Sequence, residues 1–184
     1  MYVDLIILAN LAVRPQHGYE IKKRVGQVLG GEHALNNGML YPALRRFEEM
    51  GAVARAVERQ TGKPDRHIYS LTDLGREILH ELLCEFPPEV ARSQNEFLAR
   101  VSFFDQLEPR ARRAILAARA AALHRSDESH EAIRRMVRDE QLPMPPYAQR
   151  TMTFIGDQVR FELAWIEVLL RDLVPDQGPA GGEA

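Results

Sequence analysis

The order of secondary-structure elements in the first 85 residues constrains the fold of this chain more than any other feature. Hydrophobic periodicity and turn residues predict three helices, two short strands and a fourth helix. The predicted helices cover residues 3–13, 18–29, 37–50 and 73–85, and the predicted strands cover 52–59 and 66–71. A turn-forming cluster, TGKPD at residues 61–65, joins the strands into a hairpin. The sequence therefore predicts a mainly α domain with one small hairpin.

Three helices followed by a hairpin with a basic turn are typical of a winged helix-turn-helix domain. In that arrangement the third helix enters the major groove of DNA, and the Gly62-Lys63-Pro64 turn is the wing. Leu40, Leu44 and Phe47 share one helical face and are predicted to pack inward. The opposite face is left for a partner, which we expect to be double-stranded DNA.

Small and polar residues at the start of the third helix suit close approach to base edges, and basic or hydroxyl side chains suit phosphates. On this basis the predicted DNA-contacting residues are Tyr19, Asn36, Asn37, Gly38, Tyr41, Arg45, Lys63 and Arg66. Arg46 adds a further positive charge on the same helix.

Several of these residues also have a purely structural interpretation. Tyr41 fits a core aromatic, and Tyr19 fits a residue that fixes the start of the second helix. Arg45 and Arg46 stand beside Glu48 and Glu49, so their helix face is also typical of an ordinary solvated surface. Only their place on the third helix favours DNA contact.

Three segments of the sequence resemble the PadR family of bacterial transcriptional regulators. They are HGYEIKKR (17–24), GMLYPALRRFEEMGAV (38–53) and GKPDRHIYSLTDLGRE (62–77), and the resemblance covers roughly residues 5–85. It implies a dimeric winged-helix regulator, most often a repressor, that a small molecule releases from DNA. Met39 departs from the usual Thr or Ser, and Asp65, His67 and Ile68 make the wing less basic than is common in the family.

The C-terminal half is predicted to be helical, near residues 89–105, 109–140 and 146–174. Its end, FELAWIEVLLRDL (161–173), is similar to the longer PadR subfamily, which has a helical dimerisation domain. We therefore expect a DNA-binding domain at 1–86, a dimerisation domain at 87–174 and a disordered tail at 175–184.

The last predicted helix is apolar over more than half of its circumference. One stripe contains Ile155, Val159, Leu163, Ile166, Leu170 and Leu173, and a second contains Phe154, Phe161, Trp165, Val168 and Leu169. Such a helix must be covered on two sides, which predicts a homodimer. The C-terminal aromatic residues fit the core of this dimer. Alternatively, Phe104 and Trp165 line an effector pocket at the junction of the two domains, for a small molecule such as an aromatic compound.

Other classes of protein are disfavoured. The single cysteine, Cys84, excludes an internal disulfide and indicates a reducing cytoplasm. The apolar segments near the N-terminus are too short to span a membrane, and no signal peptide is evident. The sequence contains no phosphate-binding loop, dinucleotide motif, nucleophile elbow or zinc-protease motif, and its histidines are scattered. We therefore expect no enzyme activity, no cofactor and no metal.

The sequence thus favours a cytoplasmic, ligand-responsive repressor that binds a palindromic operator as a homodimer. The alternatives are a winged-helix module for protein–protein assembly without DNA, and a helical ligand carrier or enzyme built on the C-terminal half. The assembly module has no need of Arg45, Arg46 and Lys63 on one side, and the enzyme requires a polar catalytic cluster that the sequence does not contain.

Overall fold

The structure of the protein is a computed structural model that describes residues 2–29, 35–59, 66–140 and 143–173. Contacts between residues divide the chain into two compact units. The N-terminal unit consists of the residues up to Glu85 together with Leu98–Leu107. The C-terminal unit consists of Phe86–Phe97 and the residues from Glu108 onward. The residues at 98–107, which the sequence assigned to the second domain, thus pack with the first unit.

The N-terminal unit contains four longer helices and a small antiparallel sheet. Its elements are α1 (Tyr2–Val13), β1 (Gln16–His17), α2 (Gly18–Leu29), α3 (Asn37–Glu49), β2 (Val53–Glu58), β3 (Arg66–Leu71) and α4 (Asp73–Cys84). The strand order is β1-β3-β2. The predicted mainly α, winged helix-turn-helix fold is confirmed, but the sheet has three strands rather than two. The extra strand β1 is too short to show any alternation in sequence.

Local chemistry fixes the ends of the elements. The Asn36 side chain accepts a hydrogen bond from the Met39 amide at 3.0 Å, which caps the start of α3. Thr72 caps α4 in the same way through the Gly75 amide, at 3.1 Å. Gly51, at φ 75°, ends the segment after α3 in the left-handed region that favours glycine.

The core of the N-terminal unit surrounds α1, in which every residue from Leu5 to Leu11 is buried. Leu40, Leu44 and Phe47 are buried as predicted. At Gly75, a Cβ atom would lie only 2.1 Å from the carbonyl oxygen of Ala52. Glycine at this position therefore allows α4 to pack closely against the backbone just before β2.

The C-terminal half is helical, but its first helix is not continuous. The helix predicted at 89–105 is instead α5 (Pro88–Ala91), α6 (Gln94–Val101) and a short 3-10 turn (Phe104–Gln106). The Ser93 hydroxyl accepts a hydrogen bond from the Glu96 amide at 3.3 Å, so a new helix starts there. Two long helices follow, α7 (Pro109–Asp139) and α8 (Pro146–Asp172). Over the described residues, we find no helix with the length and apolar character needed to cross a bilayer.

Candidate nucleic-acid interface

A cleft of about 480 Å³ opens beside the start of α2, between α3 and β3. Aromatic side chains and one arginine make up most of its lining, which consists of His17, Gly18, Tyr19, Tyr41, Arg66, His67 and Tyr69. Tyr19 is 54% exposed and Tyr41 is 46% exposed. Tyr41 therefore lies on the outer face of α3, opposite to the core position that its sequence also allowed.

Pairing of the two strands β1 and β3 forms this cleft. Gln16 pairs with Tyr69 and His17 pairs with Ile68, so the residues that begin α2 lie against the wing strand. The rings of His17 and Tyr19 are stacked with centroids 5.6 Å apart, and the Arg66 guanidinium lies 5.8 Å from the centre of the Tyr19 ring. Tyr19 and Arg66, which were predicted separately from the sequence, are thus brought together.

Gly18 sets the position of Tyr41. A Cβ atom on Gly18 would lie 3.0 Å from Cε1 of Tyr41 and 3.2 Å from its hydroxyl oxygen. Any larger residue would push this ring away from the cleft. Gly18, the first residue of α2, therefore lets the Tyr41 ring of α3 lie close against the start of α2.

His17 and Tyr69 form the inner wall of the cleft. The His17 Nδ1 atom lies 3.0 Å from the carbonyl oxygen of His67, and Nε2 lies 3.3 Å from a carboxylate oxygen of Glu58. Since a carbonyl can only accept, Nδ1 carries the hydrogen. Burial raises the pKa of the Tyr69 hydroxyl, more than the nearby Arg55 lowers it. This hydroxyl is therefore protonated at neutral pH and available as a donor.

The first turn of α3 is exposed from Asn36 to Met39. The side-chain oxygen of Asn36 is used for capping, whereas Asn37 lies beside Lys22, with the Lys22 Nζ atom 3.5 Å from the Asn37 side-chain oxygen. Gly38 leaves this turn without a side chain. Lys22 was not among the predicted site residues. The basic run at 22–24 could have indicated Lys22, because Lys22 follows Tyr19 by about one helical turn and shares its helix face.

The arginines of α3 are paired with carboxylates. Arg45 contacts Glu49 at 3.0 Å, with both side chains largely exposed, and Arg46 forms an ion pair with Asp4 of α1. Arg46 is therefore directed toward α1, a contact that its sequence context did not indicate. Exposed pairs like that of Arg45 are weak, so this guanidinium remains available to a phosphate.

Two groups of predicted site residues lie elsewhere. Lys63, which the sequence predicts at the tip of the wing, falls outside the described residues. Phe104 is half-buried in the N-terminal unit, whereas Trp165 is half-buried in α8 of the C-terminal unit. The Trp165 ring packs edge to face against Phe97, with centroids 6.0 Å apart. The effector role of Phe104 and Trp165 stays a prediction. The described residues contain no group of three or more His, Cys, Asp or Glu side chains arranged to hold a metal ion.

Comparison with known proteins decides the family. Residues 7–81 match the model of the Transcriptional regulator PadR-like family. The chain is 30% identical to a PadR family transcription regulator from Clostridium difficile R20291 and covers 88% of that protein and 47% of itself, with a TM-score of 0.41. The chain belongs to the PadR family of transcriptional regulators. In this winged helix-turn-helix fold, α3 is the third helix, and β2 and β3 form the hairpin.

The chain is also similar to other transcriptional regulators. The chain is 27% identical over 101 residues to the negative transcriptional regulator PadR of Bacillus subtilis. This alignment covers 55% of this chain and 56% of the relative. It is 29% identical over 79 residues to the probable transcriptional regulator Rv1176c of Mycobacterium tuberculosis, covering 43% and 42% respectively. The chain thus spans about half the length of the curated relatives it matches. The crystal structure of Bacillus subtilis PadR in complex with operator DNA aligns with 95% of this chain and 100% of its own, at 19% identity and a TM-score of 0.46.

Proposed function

We propose that this PadR-family protein is a repressor that binds operator DNA through the exposed start of α3 and the cleft beside it. The observation that carries the proposal is the grouping of Tyr19, Tyr41 and Arg66 on one surface, next to Asn37 and Lys22. Two tyrosine hydroxyls and a guanidinium are suitable partners for phosphate oxygens. The name of the Bacillus subtilis relative, a negative regulator, supports repression as the sign of regulation.

Specificity in this proposal comes from the first turn of α3. The exposed Asn37 amide is suited to an adenine edge in the major groove, because it offers one donor and one acceptor. Gly38 lets the helix backbone approach the base pairs. Asn36 makes a smaller contribution than the sequence suggested, since its side-chain oxygen already accepts the capping hydrogen bond.

We also propose that the protein binds its operator as a homodimer formed through α8. Four apolar residues of this helix, spaced seven apart, are exposed: Tyr147 at 78%, Phe154 at 60%, Phe161 at 77% and Val168 at 44%. The face that contains Val159 and Ile166 is already buried. A seven-residue apolar repeat on an exposed face is what helices use to pack against a second helix. A symmetric dimer would then match a palindromic operator with half-sites one helical turn apart.

Selection of bound fragments from the organism's own genomic DNA tests the proposed function. Full-length protein is mixed with sheared DNA, retained fragments are sequenced, and the region upstream of the protein's own gene serves as a specific candidate. The proposal expects enrichment of fragments that share an inverted repeat, and protection of both half-sites in a footprint.

Retention of no preferred sequence would contradict operator binding and favour the protein–protein assembly module instead. Retention of a single, non-repeated half-site would contradict the dimeric part of the proposal alone. The Arg66→Gln variant tests whether any enrichment depends on the proposed surface, and Arg135→Gln in α7 is the control. Arg66→Gln should abolish the enrichment, whereas Arg135→Gln should leave it unchanged.

A further inference from the structure

We propose that the C-terminal unit contains a separate binding site, a cleft between α7 and α8 for a small organic anion with an apolar body. The inference goes beyond DNA binding and does not depend on it. The cleft measures about 640 Å³. Its α7 wall runs from Arg119 to Ser129, which at 1.5 Å per residue gives a length of about 15 Å. These dimensions suit a molecule with an extended or planar hydrocarbon part.

The floor of the cleft is apolar. Ala122 and Leu123 of α7 and Val159 of α8 are buried beneath it, and Ile155 is half-buried at its side. These four side chains offer a ligand no hydrogen bond. A hydrocarbon body placed on them would leave water without leaving any polar group unpaired.

The rim of the cleft is cationic. Arg92 and Arg125 line it and are exposed, and neither makes an ion pair within the described part of the chain. The cleft lining also contains Arg119 and one carboxylate, Glu162, which neutralise each other. Two positive charges therefore remain without a counterion beside an apolar floor, which favours a carboxylate or similar anion on the ligand.

The buried ion pair beneath the rim holds this site in shape. Arg119 donates to both oxygens of Glu162, at 2.7 Å from Nε and 2.9 Å from Nη2. Gln94 donates to the same carboxylate at 3.1 Å. The remaining guanidinium nitrogen of Arg119 donates to the carbonyl oxygens of Ala91 and Arg92, at 2.9 and 2.8 Å. The pair thus fixes the backbone of Arg92, and hence the cationic end of the cleft, against α7 and α8.

The same network provides a reporter. The Arg119 guanidinium lies 5.6 Å from the centre of the Phe97 ring, and Phe97 contacts Trp165 edge to face. Trp165 is the single tryptophan of the sequence. Trp165 does not line the cleft, but it contacts Phe97, which contacts Arg119 in the cleft wall. The Trp165 emission should therefore change when a ligand binds, while removal of this ring leaves the cleft lining intact.

The experiment compares charged and neutral probes that share one apolar body. Octanoate and 3-phenylpropanoate, and their amides octanamide and 3-phenylpropanamide, are titrated into the full chain without DNA. Binding is followed by calorimetry and by Trp165 fluorescence. We expect at least one carboxylate to bind, to change the emission, and to bind at least tenfold more tightly than its amide.

Two variants connect this preference to the cleft. Arg125→Gln should weaken carboxylate binding at least fivefold and leave amide binding unchanged. Arg113→Gln, an exposed arginine of the same helix outside the cleft, should change neither. Circular dichroism verifies that both variants are folded.

Three results would overturn the proposal: no binding of either carboxylate at millimolar concentration, equal binding of each carboxylate and its amide, or equal effects of the two arginine variants. None of these results bears on DNA binding, which the operator selection measures separately.

Discussion

Replacing Arg119 with methionine should strongly lower the free energy of unfolding of the protein. Arg119 and Glu162 are both buried, and the guanidinium makes hydrogen bonds to the carboxylate and to two backbone carbonyls. Without it, the Glu162 carboxylate keeps only the Gln94 amide as a donor. Breaking a buried pair from one side typically costs about 3–5 kcal/mol, because an uncompensated charge is left behind.

Replacing both partners gives the opposite expectation. In Arg119→Met with Glu162→Leu no charge remains to be desolvated, and such exchanges are often neutral or stabilising. We expect the double variant to lie within about 1–2 kcal/mol of the wild type, because the carbonyls of Ala91 and Arg92 still lose their donor. The double variant should therefore be about 2–3 kcal/mol more stable than Arg119→Met alone.

Urea unfolding at a fixed protein concentration, followed by circular dichroism, measures these differences. The matched control is the exposed pair of Asp157 and Arg160 in α8, where Arg160→Met should change the free energy of unfolding by no more than about 1 kcal/mol. If Arg119→Met costs no more than Arg160→Met, the reasoning from burial is wrong.

Three further predictions concern other parts of the fold. Gly75→Ala should lower the free energy of unfolding by about 1–3 kcal/mol, since the new Cβ meets the Ala52 carbonyl at 2.1 Å; a thermal melt equal to the wild type would contradict this. Phe161→Glu should yield monomers by light scattering while Phe161→Leu remains dimeric, and a stable Phe161→Glu dimer would exclude the α8 interface. Because burial raises the pKa of Tyr69 in the folded protein, the Tyr69 hydroxyl loses its proton at lower pH in the unfolded chain. The free energy of unfolding should therefore fall as pH rises above about 10, and Tyr69→Phe should show a smaller fall.

The sequence predicted the helices of the N-terminal unit well because each has a clear apolar face and a chemical boundary. Leu40, Leu44 and Phe47 repeat at helical spacing and are buried. Thr72, a residue type that commonly caps helices, caps α4 immediately before Asp73. These signals are local, so they can be read from neighbouring residues alone.

Features that depend on distant residues could not be predicted in this way. The strand β1 exists only because Gln16 and His17 meet β3, about 50 residues later in the chain. The partnership of Arg119 with Glu162 joins two helices across 43 residues. A charged residue on an amphipathic helix is normally exposed, so nothing in the local sequence marks this pair as buried.

The candidate site shows the same division. The sequence placed Asn37 at the start of α3 and allowed Tyr41 on either its polar or its core face, and both side chains are exposed. It did not indicate that Lys22 would lie beside Asn37, or that Arg46 would contact Asp4 instead of facing the expected DNA. Those contacts are set by how α1, α2 and α3 pack together rather than by spacing within one helix.

The salt dependence of DNA binding shows most directly whether the cleft beside α3 contacts DNA phosphates. Fluorescence anisotropy with a labelled operator fragment and a random duplex gives the affinity at several salt concentrations. We expect Arg66→Gln to weaken binding to both duplexes and to reduce the salt slope by about one unit, because one phosphate contact is lost. Arg135→Gln should match the wild type. An unchanged affinity and slope for Arg66→Gln would contradict the assignment of this cleft to DNA.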